Sequence, residues 1–346
     1  MDKKRLEILQ SRLKHPLLIK KKENLFYLTG YSFMNGYLLV KKNYAVFFGD
    51  GLEKVEGIKK TDRLKYIGKY LRRGGTLQIE DEFTFAESKY LKEKLRGVRL
   101  KHLKSPVDYL RTVKEVAELA NISDAMQIGQ KVFGVLRRKL KFRSWTELEL
   151  ALEIRRLGHR FGAEDVSFPP IVASGANAAI PHHVSGNKKL RPGESVILDF
   201  GFKYRGYCSD FTRTVFLRTA PKRMAEAYGQ TERAYLGVLS KAHPGIKAKG
   251  LYELAMRILE KKHLGKYFIH NLGHGTGLEI HELPNLSQNS KDILQKGMVF
   301  SIEPGVYIPK HGGIRIEDLV YLPHGESPIV KKFISVPTSL KENIIR

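Results

Sequence analysis

The 346-residue sequence predicts a two-domain protein of the α/β (α+β) class. Three observations carry that reading. In the first third, short β-favouring runs alternate with helix-like segments, the pattern of a small α/β domain. Helix-like stretches resume beyond Pro106 and lack chemistry of their own. Between and after them come two strand–turn–strand stretches, and each strand holds one acid among apolar neighbours.

Bulk properties bound the rest. The length is enough for two cores. No apolar run approaches the roughly 20 residues of a membrane span. The start, MDKKRLEILQSRLK, lacks the apolar region of a signal peptide. Cys208 is the only cysteine, which excludes an internal disulfide and makes a cytoplasmic location the expectation. The formal charge is +25, of which residues 1–105 hold +13 (25 Lys/Arg against 12 Asp/Glu). Such charge permits weak attraction to polyanions. It forms no basic motif, however, so no specific nucleic-acid partner is expected, and no membrane.

In the first domain, Pro16–Gly30 reads as an apolar run, a charged turn at Lys20–Asn24, and the run Leu25–Leu28. Gly36–Val40 and Tyr44–Phe48 read as a hairpin turning at Lys41–Asn43. Helical segments at Arg63–Arg72 and Ala86–Leu95 flank a strand at Thr76–Ile79. A boundary is expected at Lys104–Pro106, giving domains 1–105 and 106–346. Ser105 would cap a helix running from Pro106 towards Leu136. Ser144 and Glu147 fit a capping box for a helix ending near Gly162.

The remaining stretches carry the polar clusters. Ser167–Ser174 is a proline-interrupted strand, followed by Pro181-His182-His183. Ile197–Thr214, ILDFGFKYRGYCSDFTRT, predicts a hairpin turning at Lys203–Gly206. Such a hairpin folds Asp199 and Asp210 towards each other. They are either ordinary acids paired with Arg205 or Arg213, or halves of a metal site. Helices follow at Lys222–Ser240 and Leu251–His263. His270–Pro284, HNLGHGTGLEIHELP, places three histidines among glycines that let backbone approach a ligand. Its G-x-G-x-G lacks the strand-to-helix setting of a phosphate loop, and His274 and His281 are too far apart for H-E-x-x-H. Met298–Tyr321 predicts two strands joined near Lys310–Gly313, carrying Glu303 and Glu317, with Arg315 on the face of Glu317.

Two acid-bearing hairpins and a glycine-bounded histidine share one explanation. Asp199, Asp210, Glu303 and Glu317 sum to −4, which two divalent cations neutralise, with His274 as the fifth ligand. Oxygen donors with one imidazole suit Mn²⁺, Co²⁺, Fe²⁺ or Zn²⁺.

Residues 165–321 resemble the Xaa-Pro peptidases, the prolidase and aminopeptidase P branch of the pita-bread metallopeptidases. The resemblance lies in SFPPIVASGANAAIPHH, LDFGFKYRGYCSDFTRTV, GHGTGLEIHELP, GMVFSIEPGVYIP and GGIRIEDLV. It implies a pita-bread catalytic domain holding two metal ions, Mn²⁺ being the expected species. Asp199 would chelate one metal, Asp210 and Glu317 would bridge both, and His274 with Glu303 would complete the other. His182 and His281 would serve proton transfer and intermediate stabilisation, and Arg315 would support the cluster. His183 reads as a surface group. Residues 1–105, through Glu23–Gly30, resemble the family's N-terminal domain, which implies a homodimer. The implied reaction is hydrolysis of an Xaa-Pro dipeptide, or of a longer peptide by an aminopeptidase P. The N-terminal domain and the stretch Asn177–His182 argue against a methionine aminopeptidase, and the intact ligands against a creatinase. A non-catalytic scaffold binding protein or nucleic acid is the alternative from another class.

Overall fold

A computed structural model describes residues 2–32, 35–49, 61–325, 327 and 329–346. The chain forms two compact units, Met1–Arg111 and Thr112–Arg346.

The first unit is built on a six-stranded mixed sheet, in the order Thr61–Asp62, Tyr44–Phe48, Tyr37–Lys41, Leu17–Ile19, Thr76–Glu80 and Arg99–Leu103. The expected hairpin is present, with Lys41 opposite Tyr44. The expected charged turn at Lys20–Asn24 is instead the first turn of helix Lys22–Thr29. Glu80 explains the difference. Its buried carboxylate accepts from the backbone N–H groups of Lys20 and Lys21 and from Asn24 Nδ2, each at 2.8 Å, which fixes the helix entry. Helix Pro106–Arg111 also belongs to this unit, because buried Arg111 donates to Asn24 Oδ1 at 2.7 Å. The first compact unit therefore extends through Arg111.

The expected continuous helix from Pro106 is broken. After Arg111 the chain extends, and Val113 bridges Met298 while Lys114 N–H donates to Gly297 O at 2.8 Å. A new helix, Val116–Lys139, starts on a capping box of Glu115 and Glu118. The next helix, Glu147–Arg160, is capped by Thr146 with Glu149, not by Ser144 with Glu147. Shifting that box frees Glu147 for another task.

The second unit is organised by a nine-stranded sheet. Its main path runs Glu282–Leu286, Gly273–Gly275, Val299–Ile302, Glu317–Tyr321, Phe211–Leu217, Ser195–Phe200 and Ile171–Ser174. Ser195–Phe200 and Phe211–Leu217 are antiparallel, with Asp199 opposite Thr212. Val196, Ile197 and Leu198 are all buried, so this strand reads as an unbroken apolar run. Met298–Tyr321 forms four strands, not two. Val299–Ile302 and Glu317–Tyr321 lie in the large sheet, while Gly305–Ile308 and Gly312–Arg315 fold off it as a separate hairpin. Helix Lys222–Lys241 buries Met224, Ala227, Tyr228, Thr231, Ala234, Tyr235 and Val238 at three- and four-residue spacing. With helix Ala248–Glu260 it closes one core against the strands.

Candidate metal centre

The sheet order brings the predicted ligands together. His274 lies on Gly273–Gly275, and Glu303 follows Val299–Ile302. Glu317 opens its strand, Asp210 precedes Phe211–Leu217, and Asp199 lies on Ser195–Phe200. These are five consecutive strands of the sheet. Residues more than a hundred positions apart in sequence thus meet at one level of it.

His274 Nε2 is 3.5 Å from Asp210 Oδ2 and 3.3 Å from Glu303 Oε1. Donor atoms of Asp210, His274 and Glu317 lie within 4.8 Å of one another, a group able to hold a metal ion. His274 Nδ1 lies 3.1 Å from the Gly275 carbonyl. Donation there leaves the Nε2 lone pair facing two carboxylates. Glycines 273 and 275 do not face a ligand, as the sequence suggests, but neighbouring strands. A Cβ on them would stand 2.0 Å from Ser301 O and 2.1 Å from Leu283 O.

Electrostatically the cluster is under-compensated. Asp199, Asp210 and Glu317 are buried. Burial, then the Asp199 and Glu303 charges, push Asp210 well above the carboxylate range. Burial, then Asp210 and Glu303, do the same to Glu317. Burial raises Glu303 to about 7, although Arg315 pulls it down. Burial also lowers the pKa of His274. Asp199 Oδ1 and Glu317 Oε1 are buried without any hydrogen-bond partner. Orphaned carboxylate oxygens are costly unless a cation completes them. The donor set and the orphaned oxygens therefore fit divalent metal ions.

Arg315 is the built-in cation of the site. Its Nη2 pairs with Asp199 Oδ2, not the Arg205 or Arg213 that the sequence offered. Arg213 is committed instead to buried Asp318 at 2.8 Å. Arg315 Nη1 donates to Tyr307 OH at 2.7 Å, and Tyr307 OH lies 2.9 Å from His270 Nε2. Burial and the Arg315 charge lower His270 to about 3, so it is a neutral acceptor. Tyr307 and His270 were missed by sequence reasoning. Only His270's place in the glycine-rich stretch hinted at a role, and no spacing links it to Tyr307.

The His281 ring stands edge-on to His274, with centroids 4.4 Å apart. Burial lowers its pKa, and the His274 and His182 charges add to the effect. His182 is exposed yet close enough for its charge to act on Glu303, His270 and His281. His183 is not the free surface group expected. Its Nε2 donates to buried Glu147 Oε2 at 2.8 Å.

A two-unit chain with a carboxylate-and-imidazole cluster on a large mixed sheet defines a metallohydrolase class. Comparison with known proteins identifies the family. The model of metallopeptidase family M24 matches residues 120–323, and that of the creatinase/prolidase N-terminal domain matches residues 6–113. The chain belongs to metallopeptidase family M24. It is 35% identical over 314 residues to the Xaa-Pro dipeptidase of Pyrococcus furiosus, covering 88% of this chain and 90% of that protein. Among solved structures it resembles the Xaa-Pro dipeptidase from Bacillus anthracis, with a TM-score of 0.91, 29% identity and coverage of 97% and 98%. It also resembles an X-Pro aminopeptidase from Thermotoga maritima, with a TM-score of 0.84, 26% identity and coverage of 94% and 96%. The small domain followed by a pita-bread domain is therefore as expected. Among the described residues, no helix is long and apolar enough to cross a membrane.

Proposed function

We propose that this peptidase is an Xaa-Pro dipeptidase in which Asp199, Asp210, His274, Glu303 and Glu317 hold two divalent metal ions. The observation that supports this reading is the grouping of the Asp210, His274 and Glu317 donors, with Glu303 3.3 Å from His274, Asp199 on the next strand of the sheet, and two carboxylate oxygens lacking a hydrogen-bond partner. The dipeptidases among its relatives support the substrate. When bound, such ions polarise the scissile carbonyl and make water a competent nucleophile near neutral pH. The chain's own residues do the rest. Arg315 fixes Asp199. His182 and His281 stand beside the cluster to deliver a proton to the departing proline nitrogen and to stabilise the tetrahedral oxygen. A site working through the carbonyl does not need the N–H that proline lacks. We assign Mn²⁺ as the working ion, a homodimer with residues 1–105 at its interface, and a cytoplasmic location. Metal content after Mn²⁺ reconstitution and light scattering at micromolar concentration test the first two.

The aminopeptidase among its structural neighbours supports a second reading, cleavage before proline in longer peptides. Assays of Mn²⁺-loaded protein on Met-Pro, Met-Pro-Ala and Met-Ala-Ser separate the two. Cleavage of Met-Pro alone is expected. Faster release of Met from Met-Pro-Ala would make the protein an aminopeptidase P. Preference for Met-Ala-Ser, or no cleavage, would overturn the Xaa-Pro assignment.

A further inference from the structure

His182 sits on an irregular stretch between the short 3-10 turn Gly175–Ala179 and the strand Ser195–Phe200. Nothing in its own ring anchors it, since His182 makes no hydrogen bond among the described residues. Its neighbours on both sides are anchored. On one side the Pro181 carbonyl accepts from Arg315 Nη1 at 3.5 Å. On the other, His183 donates to Glu147.

Glu147 is fully buried and lies outside the metal cluster. Its Oε1 accepts from Ser174 N–H at 2.8 Å and Ser174 Oγ at 2.7 Å. Asn177 Nδ2 reaches both oxygens, at 3.1 and 3.2 Å. Oε2 accepts from His183 Nε2 at 2.8 Å and Gly186 N–H at 3.4 Å. Lys188 Nζ, which pairs with Glu194, also donates to Ser174 Oγ at 2.8 Å. One carboxylate thus pins residues 174, 177, 183 and 186, which bracket His182. Burial acts to raise the Glu147 pKa, but these hydrogen bonds outweigh it and hold the group below the usual range. A buried carboxylate so fully satisfied is a rigid fixture.

We propose that Glu147 and His183 are positioning residues that hold His182 at the reacting bond. The pair acts on turnover through His182 alone and binds neither metal nor substrate. This rests on the reading that His182 handles a proton in Xaa-Pro hydrolysis. It differs from a purely structural role in one respect. A structural clamp would cost activity whether or not His182 is present, whereas a positioning clamp has nothing to position once His182 is gone.

The test is a double-mutant cycle on Mn²⁺-loaded protein with Met-Pro. His183→Ala is expected to lower kcat about tenfold or more, with KM within about twofold and metal content unchanged. His183→Gln, which keeps an N–H for Glu147, is expected to recover most of that loss. In a His182→Ala background, His183→Ala is expected to cost less than twofold. Additive losses, or unchanged kcat in His183→Ala, would overturn the proposal. Glu147→Gln is secondary, because a buried substitution risks the fold. NMR of ¹³C-histidine-labelled protein loaded with diamagnetic Zn²⁺ needs no turnover. It is expected to give one sharp His182 ring signal in the natural protein, and a broadened or split one in His183→Ala. An unchanged signal refutes positioning even if Met-Pro proves not to be a substrate, and failure of the wild type on Met-Pro refutes only the dipeptidase reading.

Discussion

Replacing Glu303 by Gln in metal-free protein isolates the cost of holding this cluster without cations. Glu303 rises from an ordinary 4.5 to about 7, chiefly through burial and then the Asp199 charge. A carboxyl whose folded pKa is raised adds stability below its unfolded pKa and loses it as pH rises through the folded one. Integrated from pH 5 to pH 8, that loss is about 2–3 kcal/mol for Glu303 alone. The histidines run the other way. His270, His274 and His281 have lowered pKa values, so they lose stability as pH falls below about 6.5. Comparing natural and substituted protein at each pH cancels most of that contribution.

Gln mimics the protonated acid, so the two proteins should be of similar stability at pH 5. At pH 8 the variant should be the more stable by about 2–3 kcal/mol, or about 5–10 °C in Tm for a domain of this size. Asp210 and Glu317 also lose a like-charged neighbour, which adds in the same direction. The assay is thermal unfolding in chelator at both pH values. With Mn²⁺ present the order should reverse, because the natural protein gains ligand-binding stability that the variant lacks. Equal metal-free stability at pH 8, or a less stable variant, would refute the account of a charge-frustrated cluster.

Asp210→Asn and Glu317→Gln should each reduce bound metal and abolish turnover, as read by elemental analysis and Met-Pro hydrolysis; full activity in either would remove that residue from the ligand set. His281→Ala should keep its metal and lose about two to four orders of magnitude in kcat, the range for lost acid–base assistance. Metal loss reversed by added Mn²⁺ would instead make His281 a ligand. Tyr307→Phe removes a hydroxyl held by Arg315 at 2.7 Å and by His270 at 2.9 Å. Leaving both partners short should cost about 2–4 kcal/mol of stability and lower kcat with metal retained. An unchanged Tm would show that Arg315 stands without it.

The cluster of acids around His274 was legible because strands impose it. An acid in or at the end of an apolar strand announces itself, and adjacent antiparallel strands bring two such acids together. The local prediction failed where a distant side chain decides. Lys20–Asn24 looks like a charged turn until Glu80, far along the chain, gathers its N–H groups. Met298–Tyr321 reads as one hairpin because its folded-off inner pair, Gly305–Ile308 and Gly312–Arg315, is as apolar as the outer pair. The pairing of Arg315 rather than Arg213 with Asp199 depends on sheet order, which spacing alone does not encode.

Glu147 shows where such reading fails. It satisfied an S-x-x-E pattern, and that local explanation concealed a long-range one. The pattern was two residues away from the true cap, Thr146 with Glu149, whose glutamate is exposed and is held low by the Thr146 N–H. Both glutamates lie in the first turn of the same helix, but only one faces inward. A helix places residues two apart on different sides, so when Glu149 turns back to the cap, Glu147 is carried into the core. There an unpaired carboxylate would be intolerable, and the segment bearing His182 supplies the donors it requires. The buried charge and the ordered loop therefore stabilise each other, which is why His183, beside His182, is half-buried rather than free.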